Sequence, residues 1–299
     1  MRVEGPFIAG RNWSADAGSG SIHDDTTATG LGFRGGTVAG DVHMNQFVPV
    51  LLEAFGPAWW ERGFLALSFR SATVDRERVR VVLASDGTTL ADTPMQGVAT
   101  DVTTADAQPA RVEMQRDDEL LVSRGVAGLG PLPELDSARS RIDPAVELSI
   151  LERVSAGQDL GSYAVVAAPD KQFQRYDAGL ISDALPEYRQ GFDGDAARIP
   201  ACPSTVVEFL WGPPMEGLRP FVDERAVGLF GAIDLAHEQG PLWLNQPYTV
   251  EARVLGLGAS PKTELLWFES TATDAQQRVA VRFRMMLRFM KASVAESAQ

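Results

Sequence analysis

Few residues in this chain could do chemistry near neutral pH. Among 299 residues there are three histidines and one cysteine. His23 stands in Ser21-Ile22-His23-Asp24-Asp25, next to two carboxylates. Imidazole changes charge near pH 6.5, and a histidine with a carboxylate can hold a water between them and move its proton. The structural alternative is that His23 closes its loop by bonding to the backbone. His43, in Asp41-Val42-His43, either points into a site beside Gly40 or packs as a helix histidine. His237, in Leu-Ala-His-Glu-Gln-Gly, reads as structural, at a helix C-terminus where a cation suits the dipole.

Other spacings exclude whole classes of activity. No His-x-x-x-His or Cys-x-x-Cys pair is present, so no metal is expected. Gly30-Leu31-Gly32 lacks the strand and helix context of a dinucleotide loop, and no Gly-x-Ser-x-Gly elbow exists. No cofactor is expected. Cys202 precedes a proline and reads as a small buried residue. With one cysteine there is no intrachain disulfide, which fits a reducing compartment.

The net charge is −13, with a pI near 4.7 and a mean hydropathy of −0.08. That field repels nucleic acids and anionic membranes. An anionic small ligand would need a local cluster of cations. Arg34, Arg62, Arg70 and Arg76 are candidates, against the alternative that all four are ordinary solvated arginines. The first residues hold no basic stretch followed by an apolar one, and no apolar run approaches the roughly 20 residues of a membrane helix. A cytoplasmic protein is expected.

Any such site has to be positioned by regular elements. Residues 1–39 are rich in Gly, Ser, Thr and Asp and read as loops. From Gly40 to about Phe55 the sequence leaves little polar face in its second half, at Phe47, Val48, Val50, Leu51, Leu52 and Phe55, which predicts a buried helix with a kink or late start at Pro49. Strands are expected at 64–70 and 78–84, then a hairpin about Asp117-Asp118 flanked by 111–114 and 120–123. Gly128-Leu129-Gly130-Pro131-Leu132-Pro133-Glu134 reads as a linker. In the second half, strands are expected at 248–254, 264–269 and 279–289. A helix before them would occupy 204–211 or 224–238. Gly240-Pro241-Leu242-Trp243-Leu244 echoes Gly63-Phe64-Leu65-Ala66-Leu67, a weak internal repeat.

The segment that joins these observations is Ser21-Ile22-His23-Asp24-Asp25, then Leu31-Gly32-Phe33-Arg34-Gly35-Gly36-Thr37-Val38-Ala39-Gly40. It resembles the core of the MaoC-like (R)-specific enoyl-CoA hydratases and dehydratases: a polar loop ending in a histidine, an acid two residues on, a Gly-Phe turn, and a glycine opening the central helix. His23, Asp25, Gly32-Phe33 and Gly40 take those places. The likeness covers roughly residues 11–60 and extends more loosely through the repeat.

The resemblance implies an α+β double hot-dog fold, two antiparallel sheets each wrapped around a central helix and fused as a pseudo-dimer. An N-terminal unit at 1–139 would carry the His-Asp-Asp motif and a C-terminal unit would span 140–299. It also implies hydration or dehydration of an acyl thioester on CoA or a carrier protein. His23 would be the acid/base, Asp16 or Asp25 its partner, and the Gly40 N–H an oxyanion donor. Arg34, Trp59 and Trp60 would touch substrate, although the tryptophans equally suit a core. Gly18 stands where the family has aspartate, Gly20-Ser21 where it has Asn-Pro, and Ala39 where it often has histidine. A hot-dog thioesterase, a biosynthetic cyclase and a non-catalytic acyl-binding module are the alternatives. A homodimer is compatible with all of them.

Overall fold

The computed structural model describes residues 1–15, 20–85 and 109–291. Its strands are β1 (Arg2–Glu4), β2 (Ile8–Ala9), β3 (Gly63–Phe69), β4 (Arg78–Ala84), β5 (Ala110–Arg116), β6 (Leu121–Leu129), β7 (Asp159–Val166), β8 (Gly228–His237), β9 (Pro247–Ala259), β10 (Thr263–Thr273) and β11 (Val279–Met290). All join one antiparallel sheet in the order β1-β4-β5-β6-β3-β8-β11-β10-β9-β7, with β2 also on β4. The halves meet at β3 and β8, paired from Phe64↔Ala236 to Ser68↔Ala232. On either side of that seam the order is mirrored, β4-β5-β6-β3 against β9-β10-β11-β8, so the sheet has a pseudo-two-fold arrangement.

Each half wraps a helix. In the first half the chain forms α1 (Asp25–Gly30), α2 (Gly40–Met44), a 3₁₀ turn at Asn45–Phe47, α3 (Val48–Phe55) and α4 (Ala58–Arg62). The expected apolar helix is therefore present with its break where predicted, because Pro49 sits in the first turn of α3 and lacks an N–H to continue the turn before it. Phe47, Val48, Val50 and Leu51 are all buried. In the second half α5 (Ser137–Ser140), α6 (Asp170–Asp177) and α7 (Glu187–Gln190) precede the long α8 (Pro203–Leu218). Val206, Val207 and Leu210 of α8 join the same core as Val48 and Leu51.

Period-two alternation sorts the seam strands into two faces. Leu65, Leu67, Ile233, Leu235, Phe283 and Met285 face the helices and belong to one continuous core. Ala66, Ser68, Asp234 and Arg284 alternate with them and face outward. Across that outer face runs the connection between the halves. It is held by the Arg139 guanidinium on the Asp234 carboxylate and by the Trp267 indole N–H donating to Ser140 O at 2.9 Å. The result is the double hot-dog architecture.

One choice left open is settled and two expectations are corrected. Residues 224–238 form no helix; the alternating buried residues of 228–237 make β8, and the helix is the one starting at Pro203. His237 accordingly ends a strand, buried edge-on to Trp59 at 5.2 Å between ring centroids. The 240–244 echo is not a second β3: those residues form a loop with one bridge, Pro200↔Trp243, and the counterpart of β3 is β8. Among the described residues no helix is long and apolar enough to cross a membrane.

Candidate active site

The motif loop is held by its own backbone. Asp24 caps α1 by accepting from Thr27 N at 2.8 Å. Ile22 O accepts from Thr37 N at 2.9 Å, and Asn12 Nδ2 donates to His23 O at 2.8 Å. Gly36 has to be glycine here, since a Cβ on it would fall 2.3 Å from His23 O. These bonds fix the His23 ring, whose Nδ1 lies 2.7 Å from Thr37 O. A carbonyl oxygen only accepts, so Nδ1 carries the proton and donates. Nε2 is left as the basic nitrogen, without a protein partner among the described residues.

His23 lines two cavities that share a wall. One is a slot at the end of the seam, beyond Ser68↔Ala232, where β3 and β8 separate. Thr37, Gly40, Phe69 and Phe230 line it. The other is a wide cleft on the helix side, lined by Asp41, Arg175, Glu208 and Trp211. Ile22, His23, Ala39, Gly228 and Phe230 belong to both. The candidate site is thus built by both halves: loop and α2 from the first, α6, α8 and β8 from the second.

Of the acids that line the cleft with His23, which include Glu208, Asp223 and Glu224, Asp41 is the one whose carboxyl feels the charge of His23. It is half-buried in the first turn of α2. Burial pushes its carboxyl above the usual carboxylate range, and the charges of Arg175 and His23 and the N–H groups of Asp41 and Val42 oppose this only in part. The sequence showed Asp41 only as an acid suited to a helix start. That it faces His23 depends on the wrapping of α2, which local spacing does not reveal. Arg175 and Glu208 also escaped notice. They form a 3.0 Å pair at the cleft wall, contributed by a half with no motif.

The other expected site residues fall elsewhere. Asp25 lines neither cavity; its Oδ1 accepts from Gly36 N at 2.6 Å and braces the motif loop. Asp16 lies outside the described residues. Arg34 is committed to Glu77, at 2.5 and 2.8 Å, so it makes no free cation for substrate. Trp59 and Trp60 are core residues, 1% and 6% exposed, and Trp60 packs edge-on against Tyr188 and Phe192. Gly40 does line the slot, and a Cβ there would fall 2.6 Å from the Phe69 ring. As the first residue of α2 its N–H has no intrahelical acceptor. His43 is buried under the slot, with Nε2 2.6 Å from Thr73 Oγ1. Burial drives its pKa down to about 4, so it is neutral and structural at ordinary pH. Among the described residues no group of three or more metal-ligating side chains converges.

No protein-family model matches the chain, and no curated protein matches it. Solved structures do match over nearly the whole length. A MaoC domain protein dehydratase of Chloroflexus aurantiacus J-10-fl has a TM-score of 0.59 at 11% identity, covering 97% of this chain and 95% of its own. A double hot-dog protein of Mycobacterium tuberculosis, essential for bacterial survival during infection, has a TM-score of 0.58 at 12% identity, covering 97% and 96%. A MaoC-like dehydratase has a TM-score of 0.55 at 12% identity, covering 96% and 97%. At these identities the likeness establishes the fold, the double hot-dog scaffold, and leaves the chemistry to be argued from this chain's own residues.

Proposed function

We propose that the chain hydrates 2-enoyl thioesters, or dehydrates the corresponding 3-hydroxyacyl thioesters, with His23 and Asp41 as the acid/base pair. The observation that carries this reading is the fixed tautomer of His23 in a cleft shared with Asp41, whose carboxyl burial pushes up from its ordinary value. In the hydration direction a water rests between the two side chains. His23 Nε2 takes one of its protons as the oxygen bonds to the β-carbon. Asp41 gives its proton to the α-carbon, and the proton on His23 then returns to Asp41. The Gly40 N–H is placed to donate to the thioester oxygen as negative charge develops there. The apolar slot walls, Phe69 and Phe230, suit a thioester chain rather than a sugar or a polar metabolite.

The test is a panel of crotonyl and longer enoyl thioesters, followed by loss of enoyl absorbance, on wild type and His23→Ala. The expected loss in the variant is about 10²- to 10⁴-fold. The same carboxyl could instead direct water at the thioester carbonyl, as in a hydrolase. Release of free thiol in the same panel, lost in Asp41→Asn, distinguishes that reaction. Neither turnover would leave an acyl-binding module.

A further inference from the structure

On the outer face of the seam lies a third pocket, unlike the rest of this acidic molecule. Arg70, Arg124, Arg139, Arg141 and Arg288 all line it, with Glu134 at its rim. Arg139 is spent on Asp234. The other four make no ion pair or side-chain hydrogen bond among the described residues. Like charges gathered this way repel one another: the guanidinium of Arg70 is held below its ordinary range by burial and by the charges of Arg124, Arg141 and Arg288. That of Arg288 is lowered by burial and by Arg141. Four unneutralised cations in a chain of net charge −13 mark a place built for an anion.

Their origins in the fold are specific. Arg70 follows β3, Arg124 sits opposite Ser68 on β6, Arg288 opposite Leu229 on β11, and Arg141 caps α5 in the connection. Arg288 reaches across β8 because position 231 is glycine, in a register shift of the β8–β11 pairing; a Cβ there would lie 2.7 Å from Arg288 Nε. Arg70 and Arg288 also line the slot that holds His23. Arg70 and Arg288 therefore border both the arginine pocket and the slot at the end of the β3–β8 seam.

We infer that this arginine pocket is an anion site that receives a phosphate at the handle end of the substrate, while the acyl end passes through the slot to His23. The inference rests on the reading of the slot as a thioester site, and it deepens it. Planar guanidinium forks match phosphate oxygens in pairs, and the recognised group is a phosphate whether the handle is a nucleotide or a phosphopantetheine arm.

Calorimetric titration of 3′,5′-ADP and of pantetheine 4′-phosphate into the full chain tests this, in wild type and in Arg124→Ala/Arg141→Ala. Expected is binding of at least one probe, weakening as salt rises, and weakened by about tenfold or more in the variant. Far-UV circular dichroism and the thermal melting temperature of the variant, unchanged from wild type, control for its folding. Binding of the nucleotide identifies a CoA handle, and binding of the phosphopantetheine alone a carrier-protein arm. If neither probe binds, or the variant binds both as well as wild type, the inference is overturned. So it is if the chain is a dimer that the variant dissociates, for then a second copy covers the arginines. Probe binding that depends on the arginines, in a chain that turns over no thioester, would leave the anion site standing and remove the hydratase reading instead.

Discussion

At the scale of single residues, the Thr37 carbonyl selects the tautomer of His23, and burial raises the carboxyl of Asp41 from its ordinary value. A carboxyl whose folded-state value is raised binds its proton more tightly folded than unfolded. Its stabilising effect is complete below the ordinary carboxylate value and declines as pH rises through the folded value. Asp41→Asn removes that decline, so thermal melting at neutral pH should occur at or above the wild-type temperature while hydration falls. His43 and His237 act in the opposite sense. Burial lowers both from 6.5 to about 4, so their stability contribution is complete above pH 6.5 and is lost as pH falls towards 4. The size is on the order of 3 kcal/mol for each ring. Urea midpoints measured across that window should drop steeply in wild type and less steeply in His237→Leu. The place of His23 at the cavities was legible in the sequence because a histidine between polar turn residues and a helix glycine is a local pattern. Asp41 was not, because its burial is created by α6 and α8, more than a hundred residues away. The role given to Asp25 followed from the resemblance, which places an acid two residues after the histidine, but here that side chain is directed to Gly36 instead.

At the scale of elements, the two central helices are joined by a side chain that local pattern gives no reason to notice. Asn45, in the 3₁₀ turn after α2, is 1% exposed and reaches the start of α8. Its Oδ1 accepts from Ser204 N and its Nδ2 donates to Ser204 Oγ, both at 3.0 Å. An otherwise orphan N–H of one half's helix is thus capped by the other half. Asn45→Ala should cost about 2 kcal/mol in chemical denaturation, since it strands a buried donor. Gly125, opposite Leu67 in the β3–β6 pairing, leaves no such latitude: a Cβ there would meet Ala66 O at 1.8 Å. Gly125→Ala should lower stability by roughly 3 kcal/mol or more, read by the same measurement, because strand backbone has to move. The strands at 78–84 and 279–289 were legible from alternation and β-branched content. Residues 228–237 stayed open to a helical reading because their apolar run is nearly continuous, as a strand buried on both faces requires.

At the scale of the whole molecule, one core and one sheet run through both halves, so the chain should unfold as one unit. Calorimetry is expected to show a single transition with matching calorimetric and van't Hoff enthalpies. Two separated transitions would mean that the seam between β3 and β8 contributes little. The pseudo-two-fold arrangement could be anticipated from the resemblance, whereas the particular echo at 240–244 misled because the second β3 is β8, whose sequence does not repeat the first. The asymmetry is as informative as the symmetry. One half brings the histidine loop and the acid at a helix start, the other brings cleft walls, and arginines from both meet at the gap between them.

The most direct measurement is a double-mutant cycle on hydration of an enoyl-pantetheine thioester, with His23→Ala, Asp41→Asn and the two combined. Side chains that share one water and one proton circuit should be strongly non-additive, the double variant being little slower than the worse single one. Losses that multiply, or a His23→Ala variant with full activity, would contradict the assignment of the reaction to this pair.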